Sequence, residues 1–138
     1  MHSVRQSIEI AAPPDRVFAV MQDVERWHEW TPSITGIRRL GGGAFGVGAR
    51  ALVRQPKFPP ALWTVTDLQP GRSFTWVSRA PGLRVTGVHT AEPSAHGTRA
   101  TVGIDIEGLF AGPWARLTRA ITERYLAFEV QGLKARCE

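Results

Sequence analysis

The sequence predicts an α+β fold in which a curved, seven-stranded antiparallel sheet wraps around one long C-terminal helix. Three observations predict it. Segments of period-two alternation, separated by Gly- and Pro-rich turns, recur from Ser33 to Gly108 at the short spacing of an antiparallel meander. The segment from Gly112 to Glu138 instead carries apolar residues at three- and four-residue steps. An antiparallel sheet needs one face covered, and no other segment is long enough to cover it.

The elements follow in order. "SVRQSIEIA" alternates through Val4, Ile8 and Ile10 as a first strand, and "APP" ends it. Pro13 and Pro14 suit a helix start, with Asp15 favourable in the first turn. Val17, Phe18, Met21 and Val24 then fall at helical spacing, and a second short helix runs through Trp30 until Pro32 stops it. Six strands follow: "SITGIRRL", "ARALVRQ", "ALWTVTDL", "SFTWVSR", "LRVTGVHTA" and "TRATVGIDIEG". In the final helix Pro113 fits the first turn, and Trp114, Leu117, Ile121, Tyr125 and Phe128 are expected to share the face that packs on the sheet. Gly132 lowers helix propensity by about 1 kcal/mol against alanine, a position that suits close approach of another element.

A strongly curved sheet around a helix leaves a gap, which is the predicted pocket. Pro81-Gly82 as a two-residue turn pairs Ala80 with Leu83, Ser78 with Val85, Trp76 with Gly87 and Phe74 with His89. This face is aromatic and lacks the arginines of the other, so Phe74, Trp76 and His89 are expected to point inward, with Trp63, Val65 and Asp67 on the preceding strand. Trp27 and Trp30 need cover, because burying one indole is worth on the order of 4–6 kcal/mol. Any one inward ring is core packing first. Five tryptophans in a chain of 138 residues exceed what a compact core needs, so the set Trp27, Trp30, Trp63, Phe74, Trp76, His89, Trp114, Leu117, Ile121 and Tyr125 is expected to line a ligand cavity. Phe58, between prolines in "PKFPPA", is expected at its mouth.

Composition narrows the rest. With 43% hydrophobic and 21% charged residues, the chain reads as one globular domain, residues 1–138. No apolar run approaches the roughly 20 residues of a membrane span, and the N-terminus lacks a signal-peptide core, so a cytoplasmic protein without stable membrane insertion is expected. The net charge is +5, but the arginines are scattered, and Arg50 and Arg54 flank Leu52 as a solvated strand face; no nucleic-acid partner is expected. The one cysteine, Cys137, excludes an internal disulfide and is expected to be a free, exposed thiol. The histidines lack metal spacing, and "GGGAFGVG" lies between strands rather than before a helix, so neither metal nor cofactor is expected.

Order and spacing of these segments resemble a known superfamily. "IEIAAPPDRVFAVMQDVERWHEWTPSI" is similar to the opening of START-like (Bet v 1-like, SRPBCC) proteins, where a first strand, an Ala-Pro dipeptide, a helix with an aromatic and a "D…W…W.P.I" pattern recur. "WTVTDLQPGRSFTW" and the run from "PGLRVTGVH" to "GLFAGPWARL" resemble its polyketide cyclase/dehydrase branch. The resemblance spans nearly the whole chain. It implies the helix-grip fold and a central cavity for a hydrophobic small molecule or lipid; a subset of such proteins cyclises or dehydrates polyketides. A fold hosts many activities, so no single reaction follows.

Three function classes remain open: a binding or carrier protein for a hydrophobic, polyketide-like small molecule; a cyclase or dehydratase; and a protein-interaction module, which would need an exposed apolar patch. The enzyme class requires an acid/base in the cavity. His89 is the candidate, since its ordinary pKa lies near working pH, with Asp67 or Tyr125 as partner. Oligomeric state is left open.

Overall fold

Alternation and turn chemistry set the sheet. The computed structural model describes residues 1–138. The strands are β1 (His2–Ile10), β2 (Gly36–Leu40), β3 (Arg50–Arg54), β4 (Ala61–Gln69), β5 (Ser73–Ala80), β6 (Leu83–Ser94) and β7 (Gly97–Glu107). They form one antiparallel sheet in the order β1-β7-β6-β5-β4-β3-β2, so the first strand closes against the last. Between β1 and β2 lie helix α1 (Pro14–Gln22) and a 3-10 helix (Val24–Glu29); helix α2 (Ala111–Cys137) follows β7. No helix is long and apolar enough to cross a membrane.

The β5–β6 register is the expected one: Ala80 pairs with Leu83, Ser78 with Val85, Trp76 with Gly87 and Phe74 with His89. The Pro-Gly turn fixes it, with Gly82 at φ 73°. β6 runs on to Ser94, beyond the expected end at Ala91, because Glu92 and Pro93 continue the ladder opposite Arg99 and Thr98. In β4 the register against β5 shifts between Val65 and Asp67. This bulge turns Asp67 outward, correcting its expected inward place, and sets Leu68 opposite Phe74. Leu52 is half-buried between exposed Arg50 and Arg54.

α1 buries Val17, Phe18 and Met21, the expected stripe. Trp27 follows them into the core and donates from its indole N–H to the Met21 carbonyl at 2.9 Å. This bond folds the 3-10 helix back on the end of α1.

The face of α2 differs from the expected one. Its buried residues are Ala111, Thr118, Tyr125, Leu126, Glu129, Val130, Leu133 and Cys137. Leu117 is 78% exposed, Trp114, Ile121 and Phe128 are half-buried, and Phe128 lies under the Arg124 guanidinium at 5.4 Å. Apolar residues sit on two sides of this helix, so periodicity by itself favoured the wrong one. The seat of the C-terminal half decides the rotation: Leu126 and Val130 cluster with Val102 of β7, and Leu133 and Cys137 enter the main core. Cys137 is therefore a buried thiol rather than an exposed one, its carbonyl accepting from Arg16 Nε at 2.8 Å.

Gly132 sets how closely α2 approaches the 3-10 helix. A Cβ there would overlap the Trp30 carbonyl oxygen and lie 2.9 Å from its carbon. Helix propensity favours Gly132→Ala by about 1 kcal/mol. The clash with backbone reverses the sign, and the variant is expected to lose roughly 1–3 kcal/mol. Urea denaturation decides it: a midpoint equal to or above that of the wild type would mean that the contact does not set the packing.

Candidate ligand cavity

Apart from Trp63, the inward rings of the central strands do not line a cavity; they fill the space beneath α1 and the 3-10 helix. Phe74 stacks on His89 with centroids 4.2 Å apart and planes at 13°. Trp27 covers this pair, 5.3 Å from His89 and 6.4 Å from Phe74, and leans on Trp76 at 5.6 Å. Trp30 packs over Trp27 at 5.6 Å. From the Gly-rich β2–β3 loop, Phe45 meets Phe74 edge-on at 5.1 Å, a role nothing in the loop's composition announced. Gly87 makes room for this arrangement, since a Cβ there would lie 2.8 Å from Trp76 Nε1.

His89 is enclosed by these rings and 5% exposed. Burial drives its pKa down to about 3, against a smaller opposing effect of the Phe74 backbone. The imidazole is neutral at neutral pH. Trp76 packs 5.8 Å from His89, and Trp63, which borders the open space, packs 5.6 Å from Trp76; His89 and Trp76 do not border it.

The open space lies at the other end of the sheet, under α2 between Trp114 and Glu129. It is a cavity of about 410 Å³, within the usual range for small-molecule sites, roughly 300–1,000 Å³. Trp63, Val85, Ile104 and Ile106 form its floor on the sheet; Trp114, Thr118, Thr122, Tyr125, Leu126 and Glu129 form its roof on α2. The β3–β4 loop closes one side with Phe58, Pro59 and Pro60, and the β5–β6 hairpin closes another with Arg79 and Ala80. Phe58 sits between Trp114 and Tyr125, with centroids at 6.3 and 5.9 Å. The Tyr125 hydroxyl donates to the Pro56 carbonyl and ties this loop to the helix.

Of the residues expected around a cavity, Trp63, Trp114, Tyr125 and Phe58 line this one. Trp27, Phe74, Trp76 and His89 are core, and Trp30 is half-buried above them. Ile121 is half-buried outside the lining, and Leu117 points to solvent, because α2 is rotated from the expected face. The gap thus opens away from the short helices, whose end is filled by rings.

Sequence reasoning missed Glu129. It is 7% exposed, lines the cavity, and has its pKa pushed up to about 8 by burial alone, with no charge or hydrogen bond of the protein acting on it. The signal was available: Glu129 follows Tyr125 by four residues on a helix and is flanked by Leu126, Val130 and Leu133. Trp63 adds a second lone polar group, an indole N–H buried without a partner. No group of three or more His, Cys, Asp or Glu side chains is placed to hold a metal ion.

The polyketide cyclase / dehydrase and lipid transport family matches residues 1–138. Among solved structures, the Zhui aromatase/cyclase from Streptomyces sp. R1128 is similar, with TM-score 0.78 and 19% identity over 99% of this chain and 93% of that one. Ara h 8.0201 aligns with TM-score 0.76 and 13% identity over 99% of this chain and 97% of that one. A hypothetical protein from Helicobacter pylori aligns with TM-score 0.82 and 15% identity over 99% and 88%. At these identities the likeness concerns the fold. A comparison with curated proteins finds no match.

His89 and Glu129 have opposite effects on stability as pH changes. Between the ordinary histidine value of 6.5 and about 3, the unfolded chain binds a proton that folded His89 refuses, so stability falls as pH falls. Between the ordinary carboxyl value of 4.5 and about 8, folded Glu129 keeps a proton that the unfolded chain releases, so stability falls as pH rises. Each slope approaches about 1.4 kcal/mol per pH unit inside its window. Relative to wild type, His89→Gln is expected to gain stability steadily below pH 6.5, and Glu129→Gln steadily above pH 4.5. Denaturant midpoints across pH 4 to 8.5 measure both, and a pH-independent difference would show that the group titrates normally.

Proposed function

Because the chain belongs to the polyketide cyclase / dehydrase and lipid transport family, we propose that it binds a hydrophobic small molecule between the sheet and the stretch of α2 from Trp114 to Glu129. The observation that carries this reading is the 410 Å³ cavity with aromatic and aliphatic walls and few polar groups. Burying a few fused rings there removes apolar surface from water at about 25 cal/mol per Å², on walls already formed. The β3–β4 loop is the natural gate. Its prolines stiffen it, and Phe58 and the Tyr125–Pro56 bond latch it to α2.

The alternative, a cyclase or dehydratase acting through His89, has less support. A general acid/base must come within about 3 Å of its proton, and His89 lies behind Trp76 and Trp63 with a pKa of about 3. Under the binding reading, His89→Gln changes affinity through packing alone.

Fluorene, a flat tricyclic hydrocarbon, serves as probe, with binding read by quenching of tryptophan fluorescence and by calorimetry. Wild type is expected to bind it at one site. Thr122→Phe, which fills the cavity from the half-buried face of α2, is expected to lower affinity at least tenfold while keeping a cooperative thermal transition. Unchanged affinity in this variant would place the site elsewhere, and no binding in wild type would remove the proposal. Phe58→Ala is expected to raise association and dissociation rates together and to change stability by less than about 1 kcal/mol; stopped-flow quenching reads the rates, and a larger stability loss would make Phe58 a core residue instead of a gate.

A further inference from the structure

The cavity holds one ionisable group that folding would ordinarily exclude. Glu129 is buried in its wall, and neither backbone nor side chain of the protein hydrogen-bonds its carboxyl. Buried polar groups are nearly always paired, so an unpaired one beside open space calls for a partner from outside the chain. Trp63, on the floor of the same cavity, leaves its indole N–H unpaired as well. We propose that Glu129, as a protonated carboxylic acid, donates a hydrogen bond to a neutral oxygen acceptor, a ketone or phenol oxygen, on an otherwise apolar ring-shaped ligand, and so selects such ligands over pure hydrocarbons. This inference rests on the binding function proposed above.

The choice of an acceptor over a cation follows from the donors present. With its pKa at about 8, Glu129 is protonated in about nine molecules of ten at pH 7. A protonated carboxyl has an O–H to give, and an indole N–H is a donor only. A ketone oxygen can accept from the carboxyl O–H, whereas the Trp63 nitrogen is itself buried. An ammonium group cannot accept from that O–H, and it would have to give up its hydration in an apolar space.

The surrounding charges leave Glu129 in this state. Arg79 of β5 shares the cavity but is exposed at its rim, and Tyr125 on the same helix is held protonated by burial. On the elements packed against α2, Arg5 of β1 pairs with Asp105 of β7 at 2.8 Å, and Arg16 of α1 donates to the Cys137 carbonyl. The remaining titratable groups on these elements are His2 and Glu9 of β1, Arg99 and Glu107 of β7, Asp15 of α1, and Arg116, Arg119, Glu123, Arg124, Lys134, Arg136 and Cys137 of α2; Lys134 is bonded to the Glu9 carbonyl and to Glu138. None of them acts on Glu129.

The test compares 9-fluorenone, fluorene and 9-aminofluorene, which share one carbon frame, by calorimetry from pH 6 to 9.5. Wild type is expected to prefer fluorenone over fluorene roughly 5–10-fold at pH 7, the worth of one net hydrogen bond. That preference should fall tenfold per pH unit at most above about pH 8, where the donor is lost, while fluorene affinity serves as the control for pH effects on the fold. Glu129→Gln keeps an N–H donor and is expected to retain the preference without the alkaline loss. Glu129→Leu is expected to abolish the preference at every pH; if that variant does not fold, the pH profiles of wild type and Glu129→Gln decide alone. Equal affinity for fluorenone and fluorene in wild type would overturn the inference and leave the binding function standing. Tightest binding of 9-aminofluorene, lost in Glu129→Gln, would overturn it in favour of a cationic ligand. Failure of both fluorene and fluorenone to bind would remove the binding function and this inference with it.

Discussion

The structure depends on how the C-terminal half of α2 is seated. Gly132 lets the helix meet the Trp30 carbonyl with no side chain between them, and Leu133 and Cys137 reach the core one and five residues later in the chain. Leu126 and Val130 add a contact with β7. Together these contacts set the rotation and height of the helix at one end. The stretch from Trp114 to Glu129 roofs the cavity. The cavity is the space left beneath it, held open by Trp114 and Tyr125 and closed at the side by the loop that Tyr125 tethers.

The aromatic residues divide according to that geometry. Trp27, Phe74, Trp76, His89 and Phe45 pack ring against ring where α1 and the 3-10 helix cover the sheet. Such contacts add to the area they bury, and they leave no room for a ligand. Trp63 sits at the boundary, in contact with Trp76 on one side and the cavity on the other. The dense end makes the wall rigid, and a rigid wall lets the open end keep its volume instead of collapsing.

The same division governs protonation. Two groups that ordinarily titrate between acid and neutral pH are both held neutral here, His89 among rings and Glu129 beside the cavity, and burial is the leading cause for each. Their settings differ in what can reach them. His89 is sealed by protein, whereas Glu129 borders space that a small molecule can enter. A neutral carboxyl in an apolar wall is a hydrogen-bond donor available to whatever occupies that space.

Local patterns in the sequence determined the strands, both short helices, the long helix and the register of the β5–β6 hairpin. Period-two alternation, a Pro-Gly turn and a glycine opposite Trp76 act through neighbours along the chain and across one ladder, so they are legible without the fold. Trp63, Trp114, Tyr125 and Phe58 could be named for the same reason, as aromatics on elements bound to surround the gap. Tertiary structure alone decided the rest. A bulge after Val65 turned Asp67 away, the docking of α2 turned Leu117 to solvent and buried Cys137, and the short helices filled the end of the gap where Trp27 and His89 lie. Glu129 became a cavity residue by that same docking, because which face of a helix with two apolar sides turns inward is fixed by what its far end packs against, not by its own periodicity.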